Sequence, residues 1–466
     1  MLHSCAVVGS RLGSPGRLHD GGARMMKRRD DATRWVKRRE MAGIGSQSRP
    51  VLGIVTCRAI QGPHRSQRSW KSNKGQPENG RMLLGRSPMI HGLHNAKNDV
   101  KEARQTACHA VAALQPFLPS LMGGLSLGLL VVGQLVIAGK VLGISGAIKG
   151  IVEGDRAPWR VLFVTGLVLG GLVLKMYLYP DVFGAGVASL PLARIATAGV
   201  LVGMGTSLGN GCTSGHGICG NARLSARSFI STITFMLFGA LAASILGTAQ
   251  AEGVAPGLVV PEMPDEYIIN LGKSVMLACI GFIGSVAALA HVFQKQGESA
   301  KDAEEAKRAV DRGFWLQNVA ELGIGFLFAL GLGVSGMTQP ARVSGFLSIL
   351  SGTFDPSLIF VMGGALLVAM PGYQIVLRSN ILRHPLTCEA FSLPTSKEIN
   401  LQLIGGSALF GAGWGLAGLC PGPGLVSLAT FQGQNMAFVG SMVVGMALAK
   451  LYQRARASMV SKQGAV

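Results

Sequence analysis

The 466-residue sequence predicts an all-α, polytopic helical membrane protein of about nine transmembrane helices. Three observations carry this. Apolar runs of roughly 18–25 residues, the length that crosses a bilayer, recur from residue 117 to the C-terminus. Charged residues make up only 14% of the chain, against about 25% in soluble domains. The basic residues between the runs fall almost wholly on alternate loops, as the positive-inside rule requires. A soluble core does not absorb so many uncharged segments.

The elements follow in chain order. The net charge of +20 (43 Lys+Arg against 23 Asp+Glu) first suggests nucleic acid or an anionic surface. Residues 1–114 hold 21 Lys+Arg and 7 Asp+Glu, a net of +14, and the remainder only +6. This first segment is rich in Arg, Gly and Ser and has no run long enough to span. Three readings stay open for it: a disordered tail, an overlong reading frame with a later start such as Met82 or Met89, or an organelle transit peptide, which is Arg-rich and poor in acid. No folded module or aromatic platform accompanies its basic residues, which speaks against nucleic-acid binding.

Spans are expected near 117–139, 159–179, 190–208, 226–248, 271–293, 314–334, 356–377, 399–419 and 434–452. If all nine cross, one side receives Lys140, Lys149, Arg156, Arg223, Arg227, the charged stretch 294–313, Arg378, Arg383, Lys397 and the basic tail 454–466. The other receives Arg342 and the acidic loop with Glu252, Glu262, Asp265 and Glu266. The C-terminus is then inside.

The chain also resembles itself at an offset of 208. Leu201, Gly203, Gly205, Leu208 and Cys212 match Leu409, Gly411, Gly413, Leu416 and Cys420. A weaker echo pairs Ser145-Gly146 with Ser344-Gly345. This divides the membrane part into a first half, 115–293, a linker, 294–313, and a second half, 314–453. Five spans precede the linker, so the second half is inverted relative to the first, as in transporters with broken helices that meet near the midplane. Glycine packing between helices would account for the Gly matches alone. It does not account for matched cysteines at matched breaks.

Each match runs into a helix-breaking segment. The first reads Gly209-Asn210-Gly211-Cys212-Thr213-Ser214-Gly215-His216-Gly217-Ile218-Cys219-Gly220, and the second Gly418-Leu419-Cys420-Pro421-Gly422-Pro423-Gly424. At membrane depth such backbone is tolerated only when buried in protein or lining a cavity. Its free N–H groups then suit an anion. Cys212 and Cys420 are the leading candidates, because a thiol is a soft donor that suits sulfur. Gly211, Thr213, Ser214, Gly215, His216, Cys219, Pro421 and Gly422 complete the expected path. His216 either donates to the anion or holds the loop. Arg223 and Arg342 are expected to attract an anion to the entrance, although Arg223 also serves as a positive-inside anchor. Glu321 is an intramembrane charge of the kind that is often functional. Cys279, mid-span, reads as a small packed hydrophobe. No metal is expected, since Cys212, His216 and Cys219 lack a second pair at zinc spacing. No cofactor is expected either.

The run Gly211–Gly220 resembles the signature of the YeeE/YedE sulfur-transport family, whose bacterial members include thiosulfate transporters. Ser335–Leu347 (SGMTQPARVSGFL), Asp355–Gly364 and Gly413–Leu425 resemble a small companion type of the same superfamily. The chain thus looks like a fusion of the two over about residues 118–452. The resemblance implies an hourglass-shaped helical protein that passes a small sulfur anion, thiosulfate first, by transient S–H···S contacts that fall here on Cys212 and Cys420. A soluble sulfurtransferase is the partner such a path would feed. Many members carry a further Cys after the first span, whereas Lys140–Gly146 reads KVLGISG, so the substrate could be persulfide or sulfite instead. Two other functions compete: a membrane sulfurtransferase working through a Cys212 persulfide, and a sensor or scaffold without flux. The membrane is an organelle inner membrane if 1–114 is a transit peptide, or a plasma membrane.

Overall fold

A computed structural model describes Thr106 and residues 112–184, 189–300, 302–379 and 382–463. The readings for 1–114 therefore lie outside the described residues, apart from Thr106 and 112–114. Within the described residues the protein is helical, as expected. Its two strands, β1 (Gly257–Leu258) and β2 (Thr353–Phe354), are two residues each and pair in parallel.

The helices are α1 (Leu118–Ala138), α2 (Ile144–Glu153), α3 (Pro158–Val173, continued by a π turn to Leu178), α4 (Leu192–Gly209), α5 (Ala226–Ile245), α6 (Thr248–Ala251), α7 (Glu266–Glu298) and α8 (Ala303–Ser335). The second part holds α9 (Pro340–Leu347), α10 (Ser357–Arg378), α11 (Leu401–Ala417), α12 (Pro421–Val426) and α13 (Gly433–Gln463). Eight of these are long and apolar enough to cross a membrane, and α11 with the bent segment after it gives a ninth. The protein is an integral, multi-pass membrane protein. The charged stretch 294–313, expected as a linker, is mostly helical. Helix α7 runs to Glu298 and α8 starts at Ala303, with Asp302 capping the Glu305 N–H. Charged residues favour helix ends outside the bilayer as readily as loops.

The packing fixes the directions of the spans. Helices α1 and α10 run parallel, with Gly124 against Val361 and Gly128 against Ala365. Helices α8 and α3 do the same, with Gly166 against Leu322 and Gly170 against Phe326. Helices α4 and α13 are parallel through Gly199, Gly203 and Gly445, and α11 and α5 through Gly411 and Gly415. Two pairs cross antiparallel: α1 with α8 (Gly123 on Ser335) and α4 with α11 (Gly205 on Phe410, Gly413 on Ala198). Within each set of four helices these directions agree with a chain that reverses at every span. Exchanging residues 118–245 with 303–463 swaps the parallel pairs with one another, returns each antiparallel pair to itself and leaves α7 without a counterpart. Every contact is a glycine pressed on a neighbour's backbone, because association inside a bilayer relies on close van der Waals approach rather than on water exclusion.

Candidate functional site

Helix α4 ends at Gly209, and Asn210 follows in the left-handed region at φ 59°. Cys212 is then extended and heads a π-type turn, Thr213–Gly220. Helix α11 ends in the same way. Gly418 is left-handed at φ 63°, Cys420 is extended, and α12 begins. The offset of 208 therefore extends from residues to backbone geometry. Each broken segment also closes on a bulky left-handed residue, Leu224 (φ 57°) in the first and Phe431 (φ 54°) in the second. Bulky side chains rarely adopt this region, and such strain persists only where the surroundings enforce it.

The two segments come from opposite ends of the bundle and meet. The Thr213 hydroxyl lies 3.6 Å from the Cys420 Sγ and donates to it. Cys212 Sγ and Ser214 Oγ are 3.3 Å apart. Both cysteines are free thiols and 2% exposed. In the first segment the N–H groups of Thr213, Ser214 and Gly215 precede any helical partner. In the second, Pro421 and Pro423 have no N–H, the Gly424 N–H bonds Cys420 O, and Gly422 alone remains as a first-turn donor. Gly422 faces Ile144 of α2, so this wall is closed by packing.

His216 has both ring nitrogens engaged. Nε2 donates to Gly209 O at 3.0 Å, which leaves Nδ1 to accept from Ser228 Oγ at 3.0 Å. This is the loop-holding role. Gly211 makes it feasible, since a Cβ there would stand 2.5 Å from the His216 ring. Cys219 donates to Leu142 O at 3.3 Å. It forms no disulfide with Cys212. Cys279 is buried and alone in α7.

A cavity of about 470 Å³ opens beside the first segment. Lys140, Arg160, Arg223 and Arg227 line it together with Gly211, Gly215 and His216, and no carboxylate does. Arg160 is bound to Asp155 at 2.7 Å, and the Ala157 N–H, followed by this ion pair, holds the Asp155 carboxyl below its usual range. Arg223 donates one nitrogen to Pro394 O, and its buried Nη1 has no hydrogen-bond partner. At the opposite end a smaller cavity, about 210 Å³, is lined by Arg342, Tyr179, Gln339, Glu262 and Asp265. Both predicted arginines thus line cavities, one at each end. Arg342 is already bonded to Gln339 Oε1 at 2.8 Å.

One residue escaped the sequence reading. Arg194, at the start of α4, donates from Nε to Leu416 O at 2.9 Å and from Nη2 to Thr248 Oγ1 at 2.6 Å, and Thr248 Oγ1 in turn donates to Gly415 O. It therefore caps the end of α11 just before the second break. Glu252 stands nearby and accepts from Ser344 of α9. A lone arginine in the first turn of an apolar helix is the signal that could have marked it.

Residues 316–461 match a family of unknown function, DUF6691. Two proteins of Xylella fastidiosa, from strains Temecula1 / ATCC 700964 and 9a5c, each named a probable transporter, are 47% identical over 131 residues. The match covers 28% of this chain and 86% and 88% of theirs. Another protein of that name from strain Temecula1 / ATCC 700964 is 40% identical over 130 residues, 28% of this chain and 95% of its own. No solved structure matches. With this identity over nearly the full length of these relatives, the chain belongs to the family of these probable transporters.

Proposed function

We propose that the protein transports a small sulfur-containing anion, thiosulfate first, between the two cavities and past Cys212 and Cys420. The observation that carries this is the junction of the broken segments, Thr213 against Cys420, with a basic cavity opening beside Gly211 and Gly215 of the first segment. Two buried free thiols at one junction offer polarisable, weakly donating sulfur to a sulfane atom, while hydroxyls and first-turn N–H groups replace the hydration of the oxygens. The resemblance of Gly211–Gly220 to the YeeE/YedE signature supports the substrate class. The strong match to short transporter-named relatives supports a fusion of two units. With inverted halves and the C-terminus inside, the basic cavity faces the cytoplasm or its organellar equivalent, where a soluble sulfurtransferase would take the product. The chain has no Walker-type loop, so a gradient or consumption of the anion drives flux.

The test is uptake of labelled thiosulfate into proteoliposomes, with sulfate as control, by wild type, Cys212→Ala and Cys420→Ala. Thiosulfate uptake that falls at least tenfold in each variant is expected. Equal uptake by all three would overturn the thiol path, and no thiosulfate uptake by wild type would overturn the substrate.

A further inference from the structure

Glu321 takes no part in the path above, yet it is a carboxyl about two turns into the apolar part of α8. Seven residues separate it from Phe314, about 10 Å along a helix. It is 1% exposed. Its Oε1 accepts from Gln134 Nε2 of α1 at 2.8 Å. Its Oε2 is buried with no hydrogen-bond partner, and so is Gln134 Oε1. One hydrogen-bonded pair therefore holds two buried acceptor oxygens that no donor satisfies.

An ionised carboxylate in this position would be a buried charge with one neutral hydrogen bond. Such a charge is far costlier to bury than a neutral acid, and the group takes a proton instead. Few neighbours offset the charge. Helix α3 brings Phe163 to this height and α7 brings Phe282 against Gly323. The His291 side chain of α7 is exposed toward the basic end. Helix α12 carries no titratable side chain. Among the described residues, the cation whose field reaches the carboxyl is Lys140, just beyond α1.

A polar lane leads out from this pair. Gln317 stands one turn before Glu321 on α8, and its Oε1 accepts from the Cys388 thiol at 3.4 Å. Cys388, Thr387 and His384 line a cavity of about 540 Å³ at the end of α1, α7 and α8 that faces the basic side. Thr387 in turn bonds Ile137 O of α1. Between that cavity and Glu321 stand the Cys388 thiol and the Gln317 amide, the latter one helical turn from the carboxyl.

We propose that Glu321 is an intramembrane proton-binding site that exchanges with solvent on the basic side and makes transport proton-dependent. The step is a simple ionisation: the Glu321 carboxylic acid releases H⁺ to water in the Cys388 cavity and regains it from there, while Gln134 donates to Oε1 throughout. Its place between α1 and α8, the antiparallel pair at the centre of the bundle, lets its charge state act on the packing beside α12, since Leu332 of α8 touches Gly422. The coupling goes beyond the transport reading and rests on it, but the proton site itself does not.

Two measurements separate them. Infrared spectra of the full chain in lipid nanodiscs at neutral pH are expected to contain a protonated-carboxyl band that is missing in Glu321→Gln and shifted to higher frequency in Gln134→Leu, where the donor is gone. The Gln134→Leu shift keeps the test open even if Glu321→Gln fails to fold. Wild-type and Glu321→Gln spectra that coincide in this region from mildly acid to mildly alkaline pH would overturn the site, whatever the protein transports. In proteoliposomes, an imposed proton gradient is expected to stimulate wild-type thiosulfate uptake severalfold and Glu321→Gln uptake not at all. Equal stimulation of both would overturn the coupling. An absence of wild-type thiosulfate uptake together with the band would sink the thiosulfate reading and keep the proton site.

Discussion

The two broken segments share a backbone and differ in almost everything else. The first, around Cys212, is held by neutral hydrogen bonds from His216 and opens beside a cavity with four cations. The second, around Cys420, is built on Pro421 and Pro423, is fully buried, and is braced from behind by the Arg194 guanidinium. The first segment can offer three first-turn N–H groups and the second can offer one. The difference teaches that pseudo-symmetry in this chain conserves where a thiol is placed and not what surrounds it. On the proposed path, the first segment would strip water from the anion and the second would hold a fixed wall against it.

The sharpest way to break this comparison is to exchange the residues at the two left-handed turns. At Gly418 a Cβ would lie 2.6 Å from Pro340 O, so Gly418→Asn overpacks a site with no room and is expected to cost about 2–3 kcal/mol. Asn210→Gly keeps the conformation, loses one bond from Lys149 at 2.9 Å, and is expected to cost less than about 1 kcal/mol. Thermal unfolding in detergent of the two variants measures both. Equal losses would show that the turns are equally constrained.

The thiols come next. Cys212→Ala and Cys420→Ala are each expected to lower thiosulfate uptake tenfold or more, about 1.4 kcal/mol in the barrier, with little change in unfolding temperature. A loss confined to one variant would replace a symmetric relay by a single-site filter.

The bracing of the second segment carries a pH signature of its own. Burial pushes the Glu252 carboxyl up to about 7 from 4.5, against the opposing pull of Ser344 and Arg194. The folded state then holds this proton more tightly than the unfolded chain does, so stability is full below about 4.5 and falls as pH rises toward 7. Unfolding temperature should therefore drop across that window in wild type and stay flatter in Glu252→Gln. Parallel curves for the two proteins would remove Glu252 from the bracket.

The smallest effect concerns the entrances. Arg223→Gln should raise the half-saturating thiosulfate concentration a fewfold, and salt should erase the difference, because an exposed cavity charge acts through a screened field. Arg342→Gln, beside Glu262 and Asp265 and already bonded to Gln339, should change it less. The reverse order in uptake kinetics would assign the entrance to the other cavity.

Much of this was legible in the sequence. The nine expected spans correspond to the eight long helices and the bent α11 segment to within a few residues in most cases, because span length is set by bilayer thickness and not by neighbours. Helices α7 and α8 ran longer than their apolar cores because charged turns continue as helix in water. The matched cysteines were visible as an offset of 208, and the same offset fixed the Asn210 and Gly418 turns. His216 was open between two roles. Its ring nitrogens are bonded to Gly209 O and Ser228 Oγ, and no pattern along the chain reports a ring nitrogen's partner.

The sequence by itself determined the all-α membrane class, the span positions and the placement of one thiol at each break, since hydropathy, glycine and proline act locally along the chain. Tertiary structure alone decided that Thr213 meets Cys420, that Arg194 caps α11, and that Glu321 is bound by Gln134. These partners lie 207, 222 and 187 residues apart. Contacts at that separation depend on which helices pack together and in which direction, and in this protein glycine-to-backbone packing sets both.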